Sequence, residues 1–282
     1  MTTDAPVVAS SDDVLARLFS AHKPLIGTVH LDPLPGAPRY DGQPMSTIIA
    51  RAVADAQRYV EGGIDGLIVE NEGDIPFLKP DLVGPETVAA MSVVTHSVVN
   101  AVDVPVGVLC LANANLQSLA IAKATGARFI RANQWANAYI ANEGYVEGNA
   151  AVALRFRAAI RACDVSIFAD VHVKHGSHAI VADRDLGQLT HDTEAFDADV
   201  LIATGQRTGN PTQVNEVRAI AAAASRPVLV GSGLNHANAV DLLTVADGAI
   251  VGSAMKEDGV WWRPVSVERT RIVVEKVRAM RA

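Results

Sequence analysis

The chain alternates short, uniformly apolar runs with longer stretches in which apolar residues recur at helical spacing. The short runs are 25–31 (LIGTVHL), 66–70 (GLIVE), 106–111 (VGVLCL), 128–132 (RFIRA), 165–173 (VSIFADVHV), 200–204 (VLIAT), 227–230 (PVLV) and 248–251 (GAIV). Their length and β-branched content predict buried strands. Residues 46–61, 85–100, 116–125 and 148–162 predict helices. Pro85 and Glu86 suit a first turn, and Gly126 suits a C-cap. Asn210 and Pro211 open a helix before the seventh run, Asn235 caps a short one ending at Val245, and 266–280 closes the chain. Several strands are entered the same way, through GGIDG, ATGA, DADV and VADG.

Eight strand–helix repeats in roughly 260 residues predict a (β/α)8 TIM barrel. An open doubly wound sheet uses the same units, but no Gly-x-Gly-x-x-Gly opening is present. Residues 1–23 form an N-terminal extension, with a short helix over 14–19 lying on one end of the barrel. Residues 24–282 form a single barrel domain. The 282 residues are 49% hydrophobic and 20% charged, with a net charge of -7. This composition suits a globular chain, and no Lys/Arg cluster supports nucleic-acid binding. No apolar run approaches the ~18 residues of a membrane span. The opening MTTDAPVVASSDDV lacks the basic and apolar regions of a signal peptide. Cys110 and Cys163 read as buried free thiols, which fits a cytoplasmic location.

Chemistry in such barrels collects at the C-terminal strand ends. There stand His30; Glu70, Asn71 and Asp74; Cys110 and Asn113; Arg131 and Asn133; and Asp170, His172, Lys174 and His175. Strand parity groups Ile26, Thr28 and His30 in the first strand, Ile68 and Glu70 in the second, and Asp170, His172 and Lys174 in the fifth, whose other face is expected to carry Phe168, Val171 or Val173 in imperfect alternation. Pointing inward, His30, Glu70, Arg131, Asp170 and His172 converge. Each one alone also reads as a solvated strand-end polar group, but five such groups together are costly unless used. The seventh and eighth strands end in Gly231-Ser232-Gly233 and Gly252-Ser253, and the sixth in Thr204-Gly205. Such loops frequently hold phosphate in barrels, because small residues let backbone N–H groups approach an anion. Tight packing at strand–helix turns is the rival account of the glycines.

These groups predict an enzyme on a phosphorylated sugar or nucleotide-like small molecule, with isomerisation, aldol cleavage or glycosidic hydrolysis as the reaction. Glu70 and Asp170 are the acid/base pair, with His172 assisting. His30 and Arg131 orient substrate or stabilise charge. Lys174 suits a Schiff-base amine, although its place beyond the strand favours charge pairing. No cofactor is firmly implied. A divalent metal on Glu70, Asp170 and His172 fits the ligand types but has no spacing signature. The loop 32–44, with four prolines, reads as a lid. Trp135, Tyr139, Tyr145, Trp261 and Trp262 offer stacking surfaces, with core or interface packing the commoner role. A homo-oligomer is expected on general grounds. The alternative is a non-catalytic protein that assembles a complex.

The segments IGTVHLDPLPGAPRY (26–40), DGLIVENEGDIPF (65–77), PETVAAM (85–91), ARFIRAN (127–133), EGYVEGNA (143–150), FADVHVKHG (168–176), TGQRTG (204–209), PVLVGSGL (227–234) and ADGAIVGSAMK (246–256) carry a resemblance. Across nearly the whole chain after residue 22, it resembles the BtpA/SgcQ family. The resemblance implies a phosphate-binding type of TIM barrel with its site at the residues above. One branch of that family is associated with photosystem I accumulation, and others with sugar metabolism. QWANAY after Asn133 is bulkier than the glycine-rich run of many relatives. The resemblance does not separate enzyme from assembly factor.

Overall fold

A computed structural model describes residues 12–205 and 213–281. Eight parallel strands close a barrel: β1 (Leu25–His30), β2 (Gly66–Glu70), β3 (Val106–Leu109), β4 (Phe129–Ala132), β7 (Ser166–His172), β8 (Val200–Ala203), β9 (Val228–Val230) and β10 (Gly248–Val251). Their order around the barrel is β1-β10-β9-β8-β7-β4-β3-β2. All eight apolar runs therefore become barrel strands. The two remaining strands, β5 (Ala138–Ala141) and β6 (Gly144–Glu147), form an antiparallel hairpin above the barrel.

The outer layer contains α2 (Met45–Glu61), α3 (Pro85–Ala101), α4 (Asn115–Thr125), α5 (Ala150–Ala159), α6 (Leu186–Ala195), α7 (Val214–Ala223), α8 (Ala239–Leu243) and α9 (Val267–Arg281). Gly126 ends α4 in the left-handed region, φ 83°, as a residue without Cβ does at low cost. Apolar period predicts no helix over 174–199, yet α6 forms there. A reciprocal cap starts it: Gln188 N donates to Asp185 Oδ1 at 2.8 Å, and Asp185 N to Gln188 Oε1 at 3.0 Å. The expected helix start at Asn210 and Pro211 lies outside the described residues.

The core has two shells. One lies between strands and helices and includes Leu25, Val69, Val108, Ile130 and Val251. The other fills the barrel: Ile26, Ile68, Leu109, Phe129, Phe168, Val200, Ile202, Leu229 and Ile250. Phe168 belongs to this inner face, as its two-residue spacing from Asp170 requires and contrary to the outer face expected for it, and it stacks on Phe129 at 4.5 Å. The expected N-terminal helix is α1 (Asp12–Leu18). It delivers Leu18 and Phe19 into the inner cluster, and Phe19 meets Phe129 edge-on at 6.0 Å. This closes the end of the barrel where the strands begin. No helix among the described residues is long and apolar enough to cross a membrane.

Candidate active site

The barrel interior changes character two residues above the apolar layer. Ile26 is followed inward by Thr28 and His30, Ile68 by Glu70, Phe129 by Arg131, and Phe168 by Asp170. Ile202 is followed by Thr204, Leu229 by Gly231, and Ile250 by Gly252. Strand alternation thus sets a polar layer on an apolar floor. The glycines belong to this layer for steric reasons. A Cβ on Gly231 would stand 2.4 Å from Ile202 Cγ2, and one on Gly252 2.8 Å from Thr28 Oγ1. Packing requires both glycines, and their lack of side chain also leaves room above.

That room is a cavity of ≈ 580 Å³. His30, Glu70, Glu72, Arg131 and Lys174 line one side, and Gly231-Ser232-Gly233 and Gly252-Ser253 the other. Trp261, His236 and Arg269 complete the rim. A smaller cavity of ≈ 120 Å³ shares Glu70, Glu72, Arg131 and Lys174 and runs beneath the hairpin.

Glu70 is buried, with His30 Nε2 3.5 Å from its Oε2. Its Oε1 accepts no hydrogen bond among the described residues, and Arg131 Nη1 stands 3.9 Å away. His30 is oriented by Trp261, whose carbonyl lies 3.1 Å from Nδ1 and whose ring meets the imidazole edge-on at 5.7 Å. Arg131 is held by Asp170 through Nε at 3.0 Å and Nη2 at 3.1 Å. Asn133 donates to the same carboxylate at 3.2 Å, and Thr204 does so closely. Lys174 Nζ donates to Ser232 Oγ at 3.2 Å, which bridges the fifth and seventh barrel strands.

Burial opposes ionisation of Glu70, but His30, Arg131 and Lys174 outweigh it and hold its carboxyl below the usual range. Burial raises the Glu72 carboxyl, and the negative Glu70 adds to the rise. Two carboxyl groups in one cavity are thus pushed apart, the pattern of a base beside an acid. Burial and the adjacent Arg131 cation depress the Lys174 ammonium.

Four expected groups meet at the cavity: His30, Glu70, Arg131 and Lys174. Gly231, Ser232, Gly233, Gly252 and Ser253 line it as well. Asp170 does not. Its oxygens are taken by Arg131, Asn133 and Thr204 below the cavity, so it anchors Arg131 rather than pairing with Glu70. His172 is also displaced. The register of β7 shifts between Asp170 and His172, which breaks the alternation. The His172 ring stacks on His178 at 3.8 Å, outside both cavities. The candidate metal triad of Glu70, Asp170 and His172 therefore does not come together, and no group of three His, Cys, Asp or Glu suited to a metal occurs among the described residues. Thr204 and Gly205 do not extend the glycine–serine wall. Thr204 binds Asp170, and Gly205 N donates to Glu216 at 3.3 Å. The charge pairing expected for Lys174 takes no close form among the described residues: its Nζ makes no salt bridge, and Glu70, Glu72 and Asp170 act on it only at longer range.

Asn71 and Asp74 are structural. Asn71 Oδ1 accepts from Leu111 N at 2.7 Å, its Nδ2 donates to Asp74 at 2.8 Å, and Asp74 accepts from Leu34 N at 2.8 Å. They buckle together the loops after β1, β2 and β3. The loop carrying Gly252 and Trp261 is braced by buried Lys256, 3.5 Å from Asp55, which also accepts from Val265 N at 3.0 Å. Trp135 is core and Tyr139 stacks on His178, whereas Trp262 is exposed. Cys110 is buried as expected and Cys163 is exposed. Glu72 is the residue the pattern missed. It lies in a 3-10 turn (Glu72–Asp74) just beyond β2. The Glu-x-Glu spacing was the available signal.

The model of the BtpA family matches residues 21–279, so the chain belongs to that family. It is 41% identical to an uncharacterized protein of Archaeoglobus fulgidus over 256 residues, 91% of this chain and 99% of the relative. It is 39% identical to the photosystem I biogenesis protein BtpA of Synechocystis over 252 residues, 87% of this chain and 84% of the relative. Among solved structures, N-(5'-phosphoribosyl)anthranilate isomerase from Pyrococcus furiosus superposes with a TM-score of 0.57 at 12% identity, covering 92% of this chain and 100% of that one. Thiamine phosphate pyrophosphorylase from the same organism superposes at 0.53 with 16% identity, covering 92% and 98%. These likenesses show the barrel fold.

Proposed function

We propose that this member of the BtpA family is an enzyme that transfers protons on a phosphorylated, sugar-sized molecule, as an isomerase or a lyase. The observation that carries this reading is the buried Glu70 Oε1, left without a hydrogen bond at a cavity whose facing wall is small and rich in backbone. A buried carboxylate oxygen is rarely left unpaired unless a ligand uses it. Glu70, ionised and steadied by His30, is the base. Glu72, whose carboxyl is raised, is the acid. The phosphate lies against Ser232, Gly233, Gly252 and Ser253, with Arg269 supplying positive charge. The helix after β9 has only five residues, so its dipole adds little. The Glu70–Asp170 pair that glycosidic hydrolysis would have used does not form, because Asp170 is tied to Arg131.

Thermal unfolding against phosphate esters, their dephosphorylated counterparts and inorganic phosphate tests this. A ligand at 100 times its Kd adds about 2.7 kcal/mol to native stability. Sugar phosphates are expected to raise Tm where the parent sugars do not, and Ser232→Ala to weaken binding by about tenfold or more. Absence of a shift with every ester would overturn the reading. It would favour the assembly role that the name of the Synechocystis relative describes.

A further inference from the structure

The geometry points to Lys174 as a nucleophilic amine that forms an imine with an aldehyde or ketone carbonyl of the bound molecule. This rests on the proposed phosphate site and deepens it, because it names the substrate as a carbonyl compound.

Three features of the side chain carry the inference. Lys174 lines both cavities, so its amine stands where they meet, between Arg131 and Ser232. Among the described residues its hydrogen-bond partner is the Ser232 hydroxyl at 3.2 Å. A structural lysine in such a place is normally ion-paired, as Lys256 is with Asp55. The neighbouring cation, Arg131, already spends its guanidinium on Asp170 and raises the cost of a second positive charge beside it. A lysine beside another cation, partly removed from water, is the setting in which the neutral amine becomes available. Depression of the Lys174 ammonium by burial and Arg131 agrees with this. The titratable groups facing it are Glu70 at the end of β2, Glu72 just after it, Arg131 on β4 and Asp170 on β7.

The step balances with groups at the site. The Nζ lone pair adds to the carbonyl carbon, and the C=O π pair moves to oxygen, which takes a proton from the Glu72 carboxyl. The nitrogen loses a proton to a carboxylate. The hydroxyl leaves as water after protonation, and C=N forms. Amine plus carbonyl gives imine plus water, with no oxidant or reductant. The protonated imine then withdraws electrons from the adjacent carbon, from which Glu70 removes a proton.

The test uses the full chain with two kinds of probe. The first is 2,4-pentanedione, a small diketone that traps neutral amines as a conjugated enamine and needs no phosphate site. At neutral pH, Lys174 is expected to react roughly tenfold or more faster than exposed Lys123 and Lys276, judged by peptide mass analysis. The second set is dihydroxyacetone phosphate, glyceraldehyde 3-phosphate and ribose 5-phosphate, each with borohydride, which reduces the imine to a stable secondary amine. The expected result is an adduct on Lys174, diminished by inorganic phosphate and absent in Lys174→Met. Labelling of Lys174 no faster than Lys123, together with no reduced adduct from any of the three esters, overturns the proposal. If those esters still raise Tm, the phosphate site stands and only the imine fails, leaving Lys174 an anion donor. If they do not, both readings fail.

Discussion

At the scale of the residue, identical side-chain types do opposite jobs. Glu70 and Asp170 are both buried carboxylates next to Arg131, yet one keeps an unsatisfied oxygen and the other is saturated. Residue type and strand parity placed both near the mouth. Nothing in one sequence could show that Arg131, Asn133 and Thr204 all turn toward Asp170. The two roles predict opposite phenotypes. Asp170→Asn leaves the Arg131 guanidinium buried and poorly paired and is expected to cost about 3–5 kcal/mol in chemical denaturation. Glu70→Gln is expected to leave the unfolding midpoint nearly in place while lowering turnover of the sugar phosphate that stabilises the chain by about 10²–10⁴-fold. A stable Asp170→Asn variant with lost turnover would reverse the assignment.

At the scale of the element, the legible part was whatever repeats. Each barrel strand announces itself by a run of apolar residues, because parallel strands are covered on both faces. The hairpin β5–β6 escaped notice because each strand has only four residues and only one face is covered. The helix α6 escaped because its start is written in a cap rather than in apolar period. A repeated device was present in the strand entries and has a clear job. Asp65, Asp199 and Asp247 each precede a strand, and their carboxylates accept from the backbone N–H of Leu25, Ile167 and Val228 at 2.8, 2.7 and 2.8 Å. Their own N–H groups donate back to the carbonyls of the same three residues at 3.1, 2.9 and 2.8 Å. Each aspartate therefore completes the ladder at the beginning of a strand pair. Asp247→Ala leaves the Val228 N–H unpaired and is expected to cost about 1–2 kcal/mol, read as a lower urea midpoint at unchanged slope. Sugar-phosphate affinity should not change, since this latch sits at the opposite end of the barrel from the cavity. A changed affinity would mean that the two ends are coupled.

At the scale of the whole molecule, one end of the barrel holds stability and the other holds chemistry. Phe19, Phe129 and Phe168 seal the first end, and the polar layer opens at the second. The hairpin covers part of that opening. It is fastened by paired backbone bonds between Ile140 and Ser177, and by a stack that runs from Tyr139 through His178 to His172. Burial drives the His172 pKa down to about 4, with His178 adding to the fall, and burial likewise lowers that of His178. His172 is therefore held neutral in the folded chain down to about pH 4, while an unfolded histidine takes its proton near pH 6.5. As pH falls from about 6.5 toward 4, the unfolded chain binds protons that the folded stack refuses, so stability declines across that window and levels off below it. The part due to His172 is on the order of 1 kcal/mol once solvent screening at this half-buried ring is allowed for. His172→Phe keeps a ring in the stack but cannot titrate. Its Tm should fall less steeply than that of the parent between pH 6.5 and 4, and the two should run parallel above pH 7. Parallel curves through the acid window would show that His172 carries no protonation cost, and that the acid response of this barrel comes from its other titratable groups.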